Sequence, residues 1–73
     1  MKITYDQVVD ALTIVFRPDV PVTESDEAKP GIVLDYDVEG NLVSIEILDA
    51  SSHMPDVTRM EYELATDRES RRA

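Results

Sequence analysis

Gly31-Ile32-Val33-Leu34-Asp35-Tyr36-Asp37 and Leu42-Val43-Ser44-Ile45-Glu46-Ile47-Leu48 each alternate apolar and polar residues with a period of two, and Glu39-Gly40 lies between them. This is the pattern of a β-hairpin. Pairing Tyr36 with Val43, Leu34 with Ile45 and Ile32 with Ile47 puts every apolar member on one face and Asp35, Ser44 and Glu46 on the other. A two-residue Glu39-Gly40 loop or a four-residue Val38 to Asn41 loop keeps that register, whereas a three-residue loop breaks it. Gly40 suits the positive φ that such turns demand.

Working outward, Lys2 to Tyr5 and Ala11 to Phe16 alternate in the same way. Pairing Tyr5 with Leu12 and Ile3 with Ile14 predicts a first hairpin, with Asp6 and Asp10 bracketing its turn as acceptors for nearby backbone N–H groups. Between the hairpins, Arg17 to Pro30 carries Pro18, Pro21 and Pro30 and the acidic run Glu24-Ser25-Asp26-Glu27. Proline removes a backbone donor, so the stretch reads as a long loop with at most an irregular edge segment over Val20 to Thr23. After Leu48 comes a polar exit through Asp49. Met60 to Leu64 then alternates as a strand over about 60–65, although Thr58 and Glu61 have capping-box spacing that also permits a short helix. The expected fold is therefore mainly β, or small α+β: an antiparallel meander of two hairpins (about 2–5, 11–16, 31–37 and 42–48) plus that C-terminal element. Residues 1–66 form one small β domain, and 67–73 read as a disordered tail.

Seventy-three residues bound this to one domain, and a chain so short buries only about 60% of its unfolded surface. With no cysteine it has neither disulfide nor thiolate metal site to compensate. No apolar run has membrane-spanning length and the N-terminus lacks a signal h-region, so the expected setting is the cytoplasm. Sixteen acidic against seven basic residues give a net charge of −9, which repels nucleic acid and anionic membranes and suits a basic protein partner.

The segment from Gly31 through Ala50-Ser51, with Asp35-Tyr36-Asp37, Gly40 and Ile45-Glu46-Ile47-Leu48, resembles a small prokaryotic family, the domain of unknown function 2283. Tyr5-Asp6 and Asp10-Ala11-Leu12 are similar to its N-terminal hairpin. The resemblance implies a stand-alone small domain, and, because some members are suspected neighbours of toxin-like proteins, an antitoxin-like or accessory role. After Ser51 the chain departs from the commoner pattern, with Ser52-His53-Met54 where basic residues are usual.

The residues point to no catalysis and no cofactor. Asp6, Asp10, Asp35, Asp37, Glu46 and Asp49 are the carboxylates that could gather round a hard cation, with Asp6, Asp35, Asp37 and Glu46 as the weak metal candidates. The simpler assignment is turn and strand-end capping for Asp6, Asp10, Asp37 and Asp49, and a solvated face for Asp35 and Glu46. His53, beside Ser51 and Ser52, reads as a surface histidine, since adjacent loop residues rarely form a nucleophile and its base. Ile14, Phe16, Leu34, Tyr36, Ile45 and Ile47 mark the core of an apolar face. Leaving it in water would forfeit on the order of tens of kcal/mol at about 25 cal/mol per Å². A homodimer that packs two such faces together is the expected solution. The functional expectation is an acidic, self-associating protein interaction module; a purely structural homodimer and a small divalent-metal protein or enzyme are the alternatives.

Overall fold

The computed structural model describes residues 1–66; the tail expected over 67–73 lies outside the described residues. Five strands, β1 (Lys2–Asp6), β2 (Ala11–Val15), β3 (Glu24–Lys29), β4 (Ile32–Tyr36) and β5 (Leu42–Leu48), form one antiparallel sheet, followed by a four-residue helix, α1 (Ala50–His53). The strand order is β1-β2-β5-β4-β3. This corrects the expected meander: β2 pairs with β5, and the connection after β2 carries the chain to the far edge, in a Greek-key arrangement.

The first hairpin has the expected register, Ile3 opposite Ile14 and Tyr5 opposite Leu12. Its turn is held by Asp6, whose carboxylate accepts the N–H groups of Val8 (3.0 Å) and Val9 (3.4 Å). Asp10 closes the turn in the left-handed region, with φ 56.

The second hairpin keeps Ile32 opposite Ile47 and Leu34 opposite Ile45, but Tyr36 faces Leu42 rather than Val43. The cause is a three-residue loop. Asp37 N–H donates to the Asn41 carbonyl (2.9 Å) and Gly40 N–H to the Asp37 carbonyl (3.0 Å), with Gly40 at φ 84. This is a type I turn closed by a glycine bulge. The odd loop length shifts the register by one, and a bulge at Val43 restores it before Ser44, so the inner pairs are unaffected. The bulged Val43 carbonyl accepts the N–H groups of Phe16 (2.8 Å) and Arg17 (3.3 Å), tying the exit of β2 to β5.

The long loop expected over Arg17 to Pro30 contains β3. Its sequence, Glu24-Ser25-Asp26-Glu27-Ala28-Lys29, has no apolar alternation because all six residues are exposed at the sheet edge. The ladder to β4 and Thr23 N–H to the Tyr36 carbonyl (2.8 Å) hold it in place. The prolines flank the strand: Pro21 precedes it, and Pro30-Gly31 forms the turn into β4, with Gly31 at φ 82, the pattern of a type II turn. Charged edges of this kind resist edge-to-edge pairing.

Neither a strand nor a helix occupies 60–65, a second correction; those residues carry no regular secondary structure and are exposed. The short helix comes earlier. Its first residue, Ala50, is fully buried, and its N–H reaches the Asp10 carbonyl (2.9 Å).

Gly31 and Gly40 separate backbone strain from packing. Both have positive φ, but a Cβ on Gly31 would lie 3.3 Å from the Leu48 carbonyl oxygen, whereas one on Gly40 meets nothing within 4 Å. Both alanine variants should therefore lose about 1–2 kcal/mol through the left-handed conformation, with Gly31→Ala the worse of the two. Equal urea midpoints for the two variants would contradict this.

Candidate functional site

The apolar face is assembled by register. Tyr5, Leu12 and Ile47 lie side by side across β1, β2 and β5, and Ile3, Ile14, Ile45 and Leu34 across β1, β2, β5 and β4. Directly opposed residues share a face, so the strands present one continuous apolar surface. Its two margins differ. On the β1 side the chain after α1 folds over it, and Met54, Val57 and Met60 face Ile3, Tyr5 and Leu12 across a groove of about 420 Å³. On the β3 side, Glu24 and Asp26 occupy the positions opposite Tyr36 and Leu34 and fence the surface with charge.

Between these margins little covers the sheet. Leu12, Val43 and Ala50 are the buried apolar residues, and no large side chain is fully buried among the described residues. Ile14, Leu34, Tyr36, Ile45 and Ile47 are only half-buried, and Phe16 is 40% exposed.

The carboxylates are distributed among separate tasks rather than gathered. Asp10 works at the junction of hairpin and helix: Oδ1 accepts the Tyr5 hydroxyl (2.7 Å), and Oδ2 accepts the Ser51 hydroxyl (2.6 Å). The Ser51 N–H adds a further donor at 3.1 Å. The bonds from Ser51 and then Tyr5 hold Asp10 below its ordinary 3.8, while the same contact raises Tyr5 above 10.0. Asp37 is the hub of the second turn, where Oδ1 accepts the N–H groups of Asn41 (2.8 Å) and Glu39 (2.9 Å) and Oδ2 takes the Arg17 guanidinium (2.7 Å). The Asn41 backbone bond is the largest cause of its lowered pKa; the Glu39 bond and Arg17 add to it against the opposing effect of burial. Asp49 stands at the N-cap position of α1, in the left-handed region with φ 52, but its side chain makes no capping hydrogen bond, which corrects the capping role expected of its carboxylate.

On the opposite face of the sheet lies a third arrangement. Asp35, 2% exposed, accepts the Ser25 hydroxyl (2.6 Å) on Oδ1 and the Ser44 hydroxyl (2.7 Å) on Oδ2. Glu46 shares a hydrogen bond with it. Burial pushes Asp35 upward, but the bonds from Glu46, Ser25 and Ser44 outweigh it and leave its pKa lowered. Glu46 is pushed above its ordinary 4.5 by that bond to Asp35, then by burial and by repulsion from the neighbouring carboxylate. Of the two, Glu46 is the group that holds its proton to the higher pH. Asp35 is not the solvated residue the sequence suggested, because β3, absent from that expectation, brings Ser25 over it.

Of the four metal candidates, Asp6 and Asp37 serve turns of different hairpins, and only Asp35 and Glu46 meet. No group of three or more His, Asp or Glu side chains placed to hold an ion occurs among the described residues. His53 is exposed in the last turn of α1, and Ser51 is engaged with Asp10 rather than with it. No helix among the described residues is long and apolar enough to cross a membrane.

These bonds give a physical reason for the polar positions that stand out in the sequence. The family model described as Protein of unknown function (DUF2283) matches residues 2–51. The chain belongs to this family. No curated protein and no solved structure matches it significantly. The DUF2283 match begins at the first residue of β1 and ends at Ser51, the residue that Asp10 binds, so it encloses the sheet and the hairpin-to-helix junction. The segment 54–60, which covers part of the apolar face, lies beyond it.

The raised pKa of Glu46 gives a pH signature. A carboxyl whose folded pKa is raised contributes stability below its ordinary 4.5 and loses it as pH rises through the folded value. Asp10, Asp35 and Asp37, all lowered, contribute stability above 3.8 and lose it as pH falls through their folded values. Glu46→Gln keeps a donor to Asp35 without the cost of deprotonation. It should raise Tm relative to the parent at pH 8, with a smaller difference at pH 4. A variant that melts lower at pH 8 would show that Glu46 is not the protonated partner.

Proposed function

We propose that this DUF2283 protein is a small acidic interaction module that self-associates through the apolar face of its sheet. The observation that carries this reading is the lack of any fully buried large side chain among the described residues, beside a face of half-buried isoleucines and leucines. A soluble domain normally buries its sheet face against a second layer, and among the described residues the only candidate layer reaches β1 and β2. Packing two copies face to face supplies the missing layer at the usual sheet separation of about 10 Å.

In that arrangement the outer surfaces are acidic. The net charge of −9 and the exposed edge strand Glu24–Lys29 suit a basic protein partner, in line with an antitoxin-like or accessory role in the cytoplasm, and disfavour nucleic acid and membranes. Asp6, Asp10, Asp35 and Asp37 already have hydrogen-bonding duties within the fold, which favours this reading over a metal-dependent enzyme.

Sedimentation velocity at tens of micromolar should give twice the subunit mass of 8.2 kDa. Because the contact is apolar, dimerisation should hold or strengthen as salt is raised, while binding of a basic partner should weaken. Ile45→Asp should shift the sedimenting species to the single subunit. A folded wild-type chain that sediments as a single subunit at this concentration would refute self-association.

A further inference from the structure

The sheet ends in two edge strands, β1 and β3, and they differ in charge. β1 carries one cation and one carboxylate, Lys2 and Asp6, and chain after α1 lies along its apolar side. β3 opens with Glu24-Ser25-Asp26-Glu27, three carboxylates in four consecutive exposed residues. Register divides them between the two faces of the sheet. Glu24 and Asp26 stand opposite Tyr36 and Leu34 on the apolar face, and Glu27 stands opposite Val33, in the row that continues to Glu46 on the polar face. None of the three has an ion-pair partner among the described residues. The regular part of the edge is bounded: Pro21 and Pro30 flank β3, and its register against β4 shifts between Glu27 and Lys29. Glu24–Glu27 is thus an unbroken stretch about 13 Å long, with the N–H and C=O groups of alternate residues directed away from β4.

We infer that Glu24–Glu27 is a strand-addition site: an extended basic segment of a partner protein pairs with the open edge of β3 and sets lysine or arginine side chains opposite Glu24, Asp26 and Glu27. The inference rests on the basic-partner reading above and says how that partner docks. The placement of charge selects the occupant. Because the carboxylates lie on both faces of the edge, only a chain in the plane of the sheet meets all three, whereas a basic helix laid on either face reaches one set. The edge backbone supplies the ladder, and the side chains set the choice of partner. Directly opposed charges of opposite sign stabilise a strand pair and like charges destabilise it, so the same residues that accept a basic strand turn away the β3 edge of a second copy.

The test uses the full chain and a short synthetic peptide built on Lys-Lys-Thr-Lys, which in antiparallel pairing puts lysine opposite Glu27, Asp26 and Glu24 and threonine opposite Ser25. A second peptide has the same sequence with its central backbone amides N-methylated, which keeps the charge and removes the donors. At low salt the first peptide should slow hydrogen exchange at the β3 amides and give nuclear Overhauser contacts from its backbone to β3; the N-methylated peptide should bind about tenfold more weakly. The variant Glu24→Gln, Asp26→Asn, Glu27→Gln, which retains an acceptor for the Gly31 N–H, should keep the wild-type far-UV spectrum and also bind the first peptide about tenfold more weakly. Equal affinity for the two peptides, or contacts away from β3, would overturn strand addition while leaving a basic partner standing. Contacts from residues 67–73 to β3 in the peptide-free chain would assign the edge to the chain's own terminus and overturn a partner as its occupant. Failure of both peptides to bind at low salt would overturn strand addition and the basic-partner reading together.

Discussion

An antiparallel sheet satisfies its backbone hydrogen bonds internally, but it cannot bury its own faces; an apolar face needs a second layer. In this chain the alternation of β1, β2, β4 and β5 creates such a face, and the described residues leave much of it half-buried. The rest of the architecture follows from this shortage. Chain after α1 is drawn over Ile3, Tyr5 and Leu12, because that is the part of the sheet its tether to β5 lets it reach. The β3 edge takes charge instead, and Glu24 and Asp26 mark where apolar surface ends.

A chain with sixteen acidic residues must also prevent its carboxylates from opposing the fold. Here they are used as acceptors. Asp6 and Asp37 organise turns, and Asp10 joins the first turn to the helix after β5, a link across 41 residues of sequence. Asp35 and Glu46 lie together on the polar face, and their pKa values are driven apart, Asp35 downward and Glu46 upward, so that the two do not ionise together over the same pH range. Local and long-range contacts are coupled in this way. The register of the first hairpin positions Tyr5 and Asp10, Asp10 positions Ser51, and the helix begun there directs the chain back over the face that contains Tyr5.

Period-two alternation was sufficient to read β1, β2, β4 and β5 and the inner pairs Ile3 with Ile14 and Leu34 with Ile45, because one buried face specifies register strongly. Where no face is buried, that signal is absent. Glu24–Lys29 is exposed along its whole length and is a strand only because β4 offers it a ladder, so it was not legible as one. The same omission hid the Ser25 contact to Asp35, although Ser44 opposite Asp35 followed from the hairpin itself. The three-residue turn was misread for another reason: a bulge at Val43 cancels its effect on every pair beyond it, and two compensating irregularities leave no trace in alternation. Met60 to Leu64 shows the converse, alternation without a ladder.

Charge and burial bear on how two subunits would meet in the proposed dimer. Edge-to-edge joining through β3 would bring Glu24, Asp26 and Glu27 against a second negative chain and would leave the apolar faces wet. Face-to-face packing turns the Asp35 and Glu46 surfaces outward, separated by both sheets. That spacing exceeds the Debye length of about 8 Å at physiological ionic strength, so repulsion between them is largely screened. The acidic residues that remain on the apolar side lie at the β3 margin, where solvent can reach them. The net charge therefore does not oppose the sandwich. It opposes edge association through β3, in keeping with the face-to-face dimer proposed above.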